Sequence, residues 1–198
     1  MIALLAALIY VAALGAVGLE RARRTRCLPL RNLFADMVLL LAAGAGSAWL
    51  LSQSRLEAAL ALGCGAVAAL ADGRTGYIFD GVVLPGAFLQ GIVAASGAHV
   101  ASTLGGALVA AALPLLAAWL SGGRAMGWGD WKLAMVLGAG VGGWSGLSLI
   151  AVACIVGGAV TGTLLLFGRI DRRSEVAFAP FLYGGFLVTL SAQLWSGS

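Results

Sequence analysis

Along the chain, apolar residues run in long stretches and charged residues collect at the breaks between them. A helix needs about 20 apolar residues to cross a bilayer core. The short polar/apolar alternation of a membrane barrel is absent from this pattern. The runs predict helices near 1–19, 33–52, 55–71, 81–97, 99–121, 131–143, 145–168 and 177–195. The first, fifth and seventh are clear spans. The sixth is short for a full crossing and pairs with the seventh through Val141-Gly142-Gly143-Trp144. Nothing basic precedes the first run, and its basic cluster follows instead, so it reads as an uncleaved helix with the N-terminus outside.

Composition sharpens this into a class. Of 198 residues 61% are hydrophobic, 30 more are glycine, only 10% are charged, and mean hydropathy is +1.01. A soluble domain of this size cannot hide that much apolar surface. A cytosolic globular enzyme, a disordered tail and a disulfide-stapled secreted module are excluded. The expected fold is all-α, a polytopic transmembrane bundle of about eight helices with both termini outside.

Lys/Arg bias in short loops orients such a bundle. Arg21, Arg23, Arg24, Arg26, Arg31, Arg74, Arg124, Lys132, Arg169, Arg172 and Arg173 fall in the predicted inside loops, and Arg55 alone falls outside. The net charge of +4 is therefore a topology signal, and no nucleic-acid partner is implied. Cys64 and Cys154 sit in apolar runs and Cys27 stands alone in the first inside loop, so neither a disulfide nor a Cys-based zinc site is suggested. Gly138/Gly142 and Gly158/Gly162 have the GxxxG spacing of close helix packing.

Carboxylates beside membrane helices are costly and hence informative. Asp72 follows Ala-Val-Ala-Ala-Leu-Ala at the inside end of the third predicted helix, and Asp130 opens the sixth. The topology sets both at one boundary. Two carboxyls that meet share a proton, because both cannot ionise cheaply. The ionised one can then take a proton from water while the other polarises a carbonyl. Gly127 and Gly129 flank Asp130 and permit close approach of a substrate strand. Three plainer readings stand beside this one: Asp130 as a helix N-cap, Asp72 paired with Arg74, or Asp72, Asp80 and Asp130 as a hard-metal site. Glu20, Asp36, Asp171 and Glu175 read as solvated or paired with nearby arginines.

The segment Gly127-Trp128-Gly129-Asp130-Trp131-Lys132-Leu133 resembles the GxGDxKL signature of the type IV prepilin peptidases, the GxGD-class membrane aspartic proteases. Asp72-Gly73-Arg74-Thr75-Gly76-Tyr77-Ile78, with Asp80 and Pro85 following, is similar to that family's other motif, and Phe178-Ala179-Pro180-Phe181-Leu182 to its late F-G-P-F-L segment. The resemblance implies a cytoplasmic-face aspartic endopeptidase of the bacterial inner membrane with Asp72 and Asp130 as the catalytic pair. Its substrates would be prepilins or type II secretion pseudopilins, which carry a short basic leader ahead of an apolar helix. Gly127, Gly129, Lys132, Asp80 and Pro180 would bind substrate or shape the site, with no cofactor and no metal.

Phe79 stands where the family often has Pro, and Ala179 where it often has Gly. The stretch from Glu20 to Arg31 lacks the two CxxC pairs of bifunctional members, which counts against zinc there and against N-methyltransferase activity. The expected organisation is a first helix with a short basic loop over 1–32 and a peptidase unit over 33–198. The competing functions are an inactive family member serving in pilus or secretion assembly, and a small ion-coupled transporter. The second would set carboxylates along a path across the bilayer.

Overall fold

The computed structural model describes residues 33–97, 99–123, 126–169, 171 and 176–197. The predicted helix over 1–19 and the loop holding Cys27 lie outside these residues. Among the described residues there are seven helices and no strand: α1 (Leu33–Ser52), α2 (Leu56–Thr75), α3 (Asp80–Ser96), α4 (Val100–Ser121), α5 (Asp130–Val141), α6 (Ser145–Leu166) and α7 (Ala179–Ser196). Each matches one of the apolar runs. Three of them, α2, α4 and α6, are long and apolar enough to cross a membrane. At 12 residues, α5 is about 18 Å long and too short to cross alone.

Cross-helix contacts define two ends. At one, Asp36 of α1 meets Arg74 of α2, and Asp80 of α3 meets Lys132 of α5. At the other, Ser102 of α4 accepts the Gly143 N–H at 2.7 Å, and Gln193 of α7 donates to the Val141 carbonyl at 2.8 Å. Successive helices therefore alternate in direction. Exposed aromatics ring both ends, with Tyr77, Trp119 and Trp128 at the first and Trp49, Trp144 and Trp195 at the second.

The core centres on α2 and α5, the two helices with the longest runs of buried residues for their length. Small residues make this feasible: Ala58, Ala59, Ala61, Gly63, Gly65, Ala66, Ala68 and Ala69 are buried along α2. The Tyr183 ring of α7 lies against Gly65, where a Cβ would come within 2.6 Å of it. Gly106 of α4 and Gly138 of α5 bring backbone against backbone, and a Cβ on Gly106 would also lie 2.7 Å from the Gly142 Cα. Such approach trades side-chain volume for dispersion contact, as expected where water supplies little drive between apolar helices. The pair Gly158/Gly162, by contrast, faces open space. Outward positions of α4 and α6 are large and apolar, among them Leu104, Leu108, Leu120, Ile155 and Leu166.

The turn between α5 and α6 needs left-handed backbone. Gly142 and Gly143 have φ of 70° and 50°, so only three residues separate the helices. A departure from expectation matters more. The α2 helix runs four residues beyond the predicted 71, past Gly73, and stops at Gly76, whose φ of 66° caps it through an N–H to the Asp72 carbonyl at 2.8 Å. Asp72 thus lies inside the last helical turn instead of following the helix.

Candidate active site

Asp72 reaches the aspartate end on the closing turn of α2, and Asp130 is the first residue of α5. Both are buried. Each has one carboxylate oxygen fixed by a backbone amide: the Ala179 N–H donates to Asp72 Oδ2 at 3.0 Å, and the Gly127 N–H to Asp130 Oδ2 at 3.0 Å. The first bond is made by the opening residue of α7, so three helix ends converge on the pair. Burial, and after it the negative charge of Asp72, push the Asp130 carboxyl up to about 6 against the opposing effect of the Gly127 N–H. The two carboxyls therefore sense each other across 58 positions of sequence, Asp72 to Asp130.

Two plainer readings of the aspartates are corrected by this geometry. The N-cap of α5 is Gly129, and the Asp130 carboxylate accepts from Gly127 instead of capping the helix. Arg74 pairs with Asp36, at 2.5 Å, on the α1 side of α2. Asp36 is buried in that pair and not solvated. Among the described residues no group of three or more His, Cys, Asp and Glu side chains stands close enough together to hold a metal ion.

The other expected residues gather at the same end in different roles. A Cβ on Gly129 would stand 2.7 Å from the Ile78 Cβ, so only glycine lets the α4–α5 loop close on the segment after α2. A Cβ on Gly127 would stand 3.2 Å from Asp130 Oδ2. Lys132 Nζ lies 2.8 Å from Asp80 Oδ1 in an exposed pair that ties the start of α3 to the start of α5. Pro180 sits in the first turn of α7, near Gly73 of α2. Both departures from the family motifs leave the backbone able to do its work. Phe79 has a φ of −80°, within proline's range, and the Ala179 side chain is buried while its N–H holds Asp72.

Several contributors were not legible in the sequence. Ile78 is an apolar residue in a loop, and nothing in the chain marks Gly129 as its partner. The Ala179 amide is main chain, so no side-chain pattern reveals it. Asp36 had a signal, an acidic residue beside an apolar run, but its partner lies on another helix. Buried Gln90 of α3 donates from Nε2 to the carbonyls of Glu57 and Val136 at 3.0 and 3.1 Å, tying α2, α3 and α5 together.

The fold and site define a class: an apolar helical protein that buries a carboxylate pair where three helix ends meet. The chain belongs to the type IV leader peptidase family, whose sequence signature matches residues 59–162 and so includes both aspartates. Among curated proteins it is similar to the prepilin leader peptidase/N-methyltransferase of Burkholderia pseudomallei strain 1026b, with 33% identity over 136 residues, 64% of this chain and 44% of that protein. It is likewise similar to the protein of that name from Dickeya chrysanthemi, with 33% identity over 165 residues, 78% of this chain and 56% of the relative. That of Stutzerimonas stutzeri is 35% identical over 112 residues. The chain spans about half the length of the curated relatives it matches. No solved structure matches it at comparable significance.

Proposed function

We propose that this chain is a membrane aspartic endopeptidase that removes the basic leader from type IV prepilins or type II secretion pseudopilins. The observation that carries the reading is the buried Asp72/Asp130 pair, assembled from two helix ends and held by two backbone amides. Family membership supports the substrate class.

In this mechanism the pair shares one proton, because two buried carboxyls that sense each other do not both ionise. The carboxylate member takes a proton from water while the water oxygen attacks the scissile carbonyl carbon. The protonated member gives its proton to the carbonyl oxygen, which yields a neutral tetrahedral diol. Collapse returns one proton to the pair and delivers the other to the leaving amine. Gly127 and Gly129 shape the turn that approaches the substrate, while Pro180, Asp80 and Lys132 form the rim.

The proposed setting is the bacterial inner membrane, with the pair at the cytoplasmic face, the 1–19 segment as an eighth helix before the peptidase unit, and both termini outside. The Lys/Arg bias and the aromatic rings at the two ends support it. A substrate whose apolar helix lies in the bilayer would present its cleavage site at that boundary. N-methylation is not part of the proposal.

The test is co-expression with a tagged prepilin, following leader loss by mass, for wild type, Asp72→Asn and Asp130→Asn at matched membrane levels. Cleavage by wild type alone is expected. Cleavage that survives either substitution removes that residue from the mechanism. Failure of wild type on several prepilins favours the inactive assembly partner.

A further inference from the structure

The turn that carries Asp72 reads Asp72-Gly73-Arg74-Thr75-Gly76, with two glycines in five residues at a helix end. Glycine costs about 1 kcal/mol relative to alanine inside a helix, and terminal turns fray. On its own this is a poor platform for a group that must be held within a fraction of an ångström. The structure holds it from two sides. Asp72 and Arg74 are two residues apart, hence about 200° apart around the helix. Asp72 faces α7, where the Ala179 amide takes one of its oxygens. Arg74 faces α1, where it pairs with Asp36 at 2.5 Å.

The Asp36–Arg74 pair is itself costly. The two side chains are only 7% and 13% exposed, and desolvating two charges offsets much of their attraction. Neither α1 nor Asp36 falls within the residues that match the family signature, 59–162. The rest of α1 already has good packing on α2: Ser47 Oγ donates to the Ala59 carbonyl at 3.1 Å, and Gly46 lies against Leu62. The pair is thus not needed to dock α1. It acts locally, on the last turn of α2.

We propose that Asp36 is a positioning residue for the aspartate pair, clamping through Arg74 the turn that aims Asp72 at Asp130. The catalytic part of this claim rests on the proposed peptidase reading; the clamp itself does not.

Two readouts on the full chain in lipid nanodiscs separate the two. The first is hydrogen exchange of residues 72–77 by mass spectrometry, which reports the Gly76 N–H bond to the Asp72 carbonyl. The second is kcat and KM on a prepilin. Asp36→Asn should speed exchange in that segment alone, and lower kcat about tenfold or more with KM little changed. Asp36→Glu, which keeps the charge, should recover most of both, and it carries the test if Asp36→Asn fails to accumulate. Unchanged exchange at 72–77 in a folded variant would overturn the proposal. So would acceleration spread over all the helices, or faster local exchange with kcat unaltered. If wild type cleaves no prepilin the peptidase reading fails, and the exchange result still decides the clamp.

Discussion

The two ends of α5 are built by opposite means. At its C-terminal end backbone lies on backbone: Gly106, Gly138 and Gly142 meet without side chains between them, and the Gly143 N–H is tied to the Ser102 carbonyl at 2.7 Å. At its N-terminal end charge is held by main-chain amides, with Asp130 on Gly127 and Asp72 on Ala179. The first arrangement is rigid and cheap. The second buries two carboxyls that would individually favour water. A fold gains nothing in stability from such a pair, which is why it reads as a device and the glycine seam as a frame.

The sharpest way to test that division is to break each end separately. Gly106→Ala should cost about 3 kcal/mol or more, because the atoms its Cβ meets are main chain and cannot turn aside. The expected result is loss of folded protein on thermal melting in detergent. Asp130→Asn should do the reverse, lowering prepilin cleavage about a thousandfold with the fold intact.

The same variant should gain stability at neutral pH. Burial and the nearby Asp72 charge push the Asp130 carboxyl up to about 6 in the fold, from an ordinary 3.8. The folded state therefore binds a proton that the unfolded chain has released, and stability falls as pH rises from about 4 through about 6. Well below 3.8, at about pH 3, both states are protonated and the burden vanishes. Asp130→Asn should melt higher than wild type at pH 7.5, by roughly 2–3 kcal/mol, and the gap should close by about pH 3. A gap that is constant with pH would place its origin elsewhere than this carboxyl. In the peptidase reading, cleavage should correspondingly weaken as pH rises above about 6.

Gly129→Ala probes the same end more gently. Its Cβ would lie 2.7 Å from the Ile78 Cβ, an atom fixed to the backbone, so the α4–α5 loop and the segment after α2 must part by some tenths of an ångström. Cleavage should fall about tenfold while the melting temperature changes little. Gly→Ala at Gly158, which faces open space, is the matched control with no expected effect.

Helices and loops were legible in the sequence because hydrophobic run length is a local property. The predicted 33–52 coincides with α1, and the predicted 145–168 ends two residues beyond α6. The end of α2 was missed because Gly73 resembles a terminator, whereas the cap is Gly76, and only its left-handed φ distinguishes the two. The aspartates were legible as charges that apolar packing does not explain. Their amide partners were not, since Ala179 lies 107 positions from Asp72 and contributes only main chain. The two GxxxG pairs show the same limit. Gly138/Gly142 is packed and Gly158/Gly162 is open, although their spacing is identical.

The smallest effect is expected at Lys132. Its ammonium lies 2.8 Å from Asp80 Oδ1, and the two side chains are 25% and 54% exposed. A pair so open to solvent contributes about 0–1 kcal/mol and weakens with salt. The loops it joins are already closed by Gly129 on Ile78, which salt does not touch. Lys132→Met should therefore change cleavage about threefold or less, and the change should shrink as ionic strength rises. In a double-mutant cycle with Asp80→Asn, the coupling should stay below about 1 kcal/mol. A loss as deep as that of Gly129→Ala would move Lys132 from the rim into the machinery, and the aspartate end would then depend on a third charge as well as its carboxyl pair.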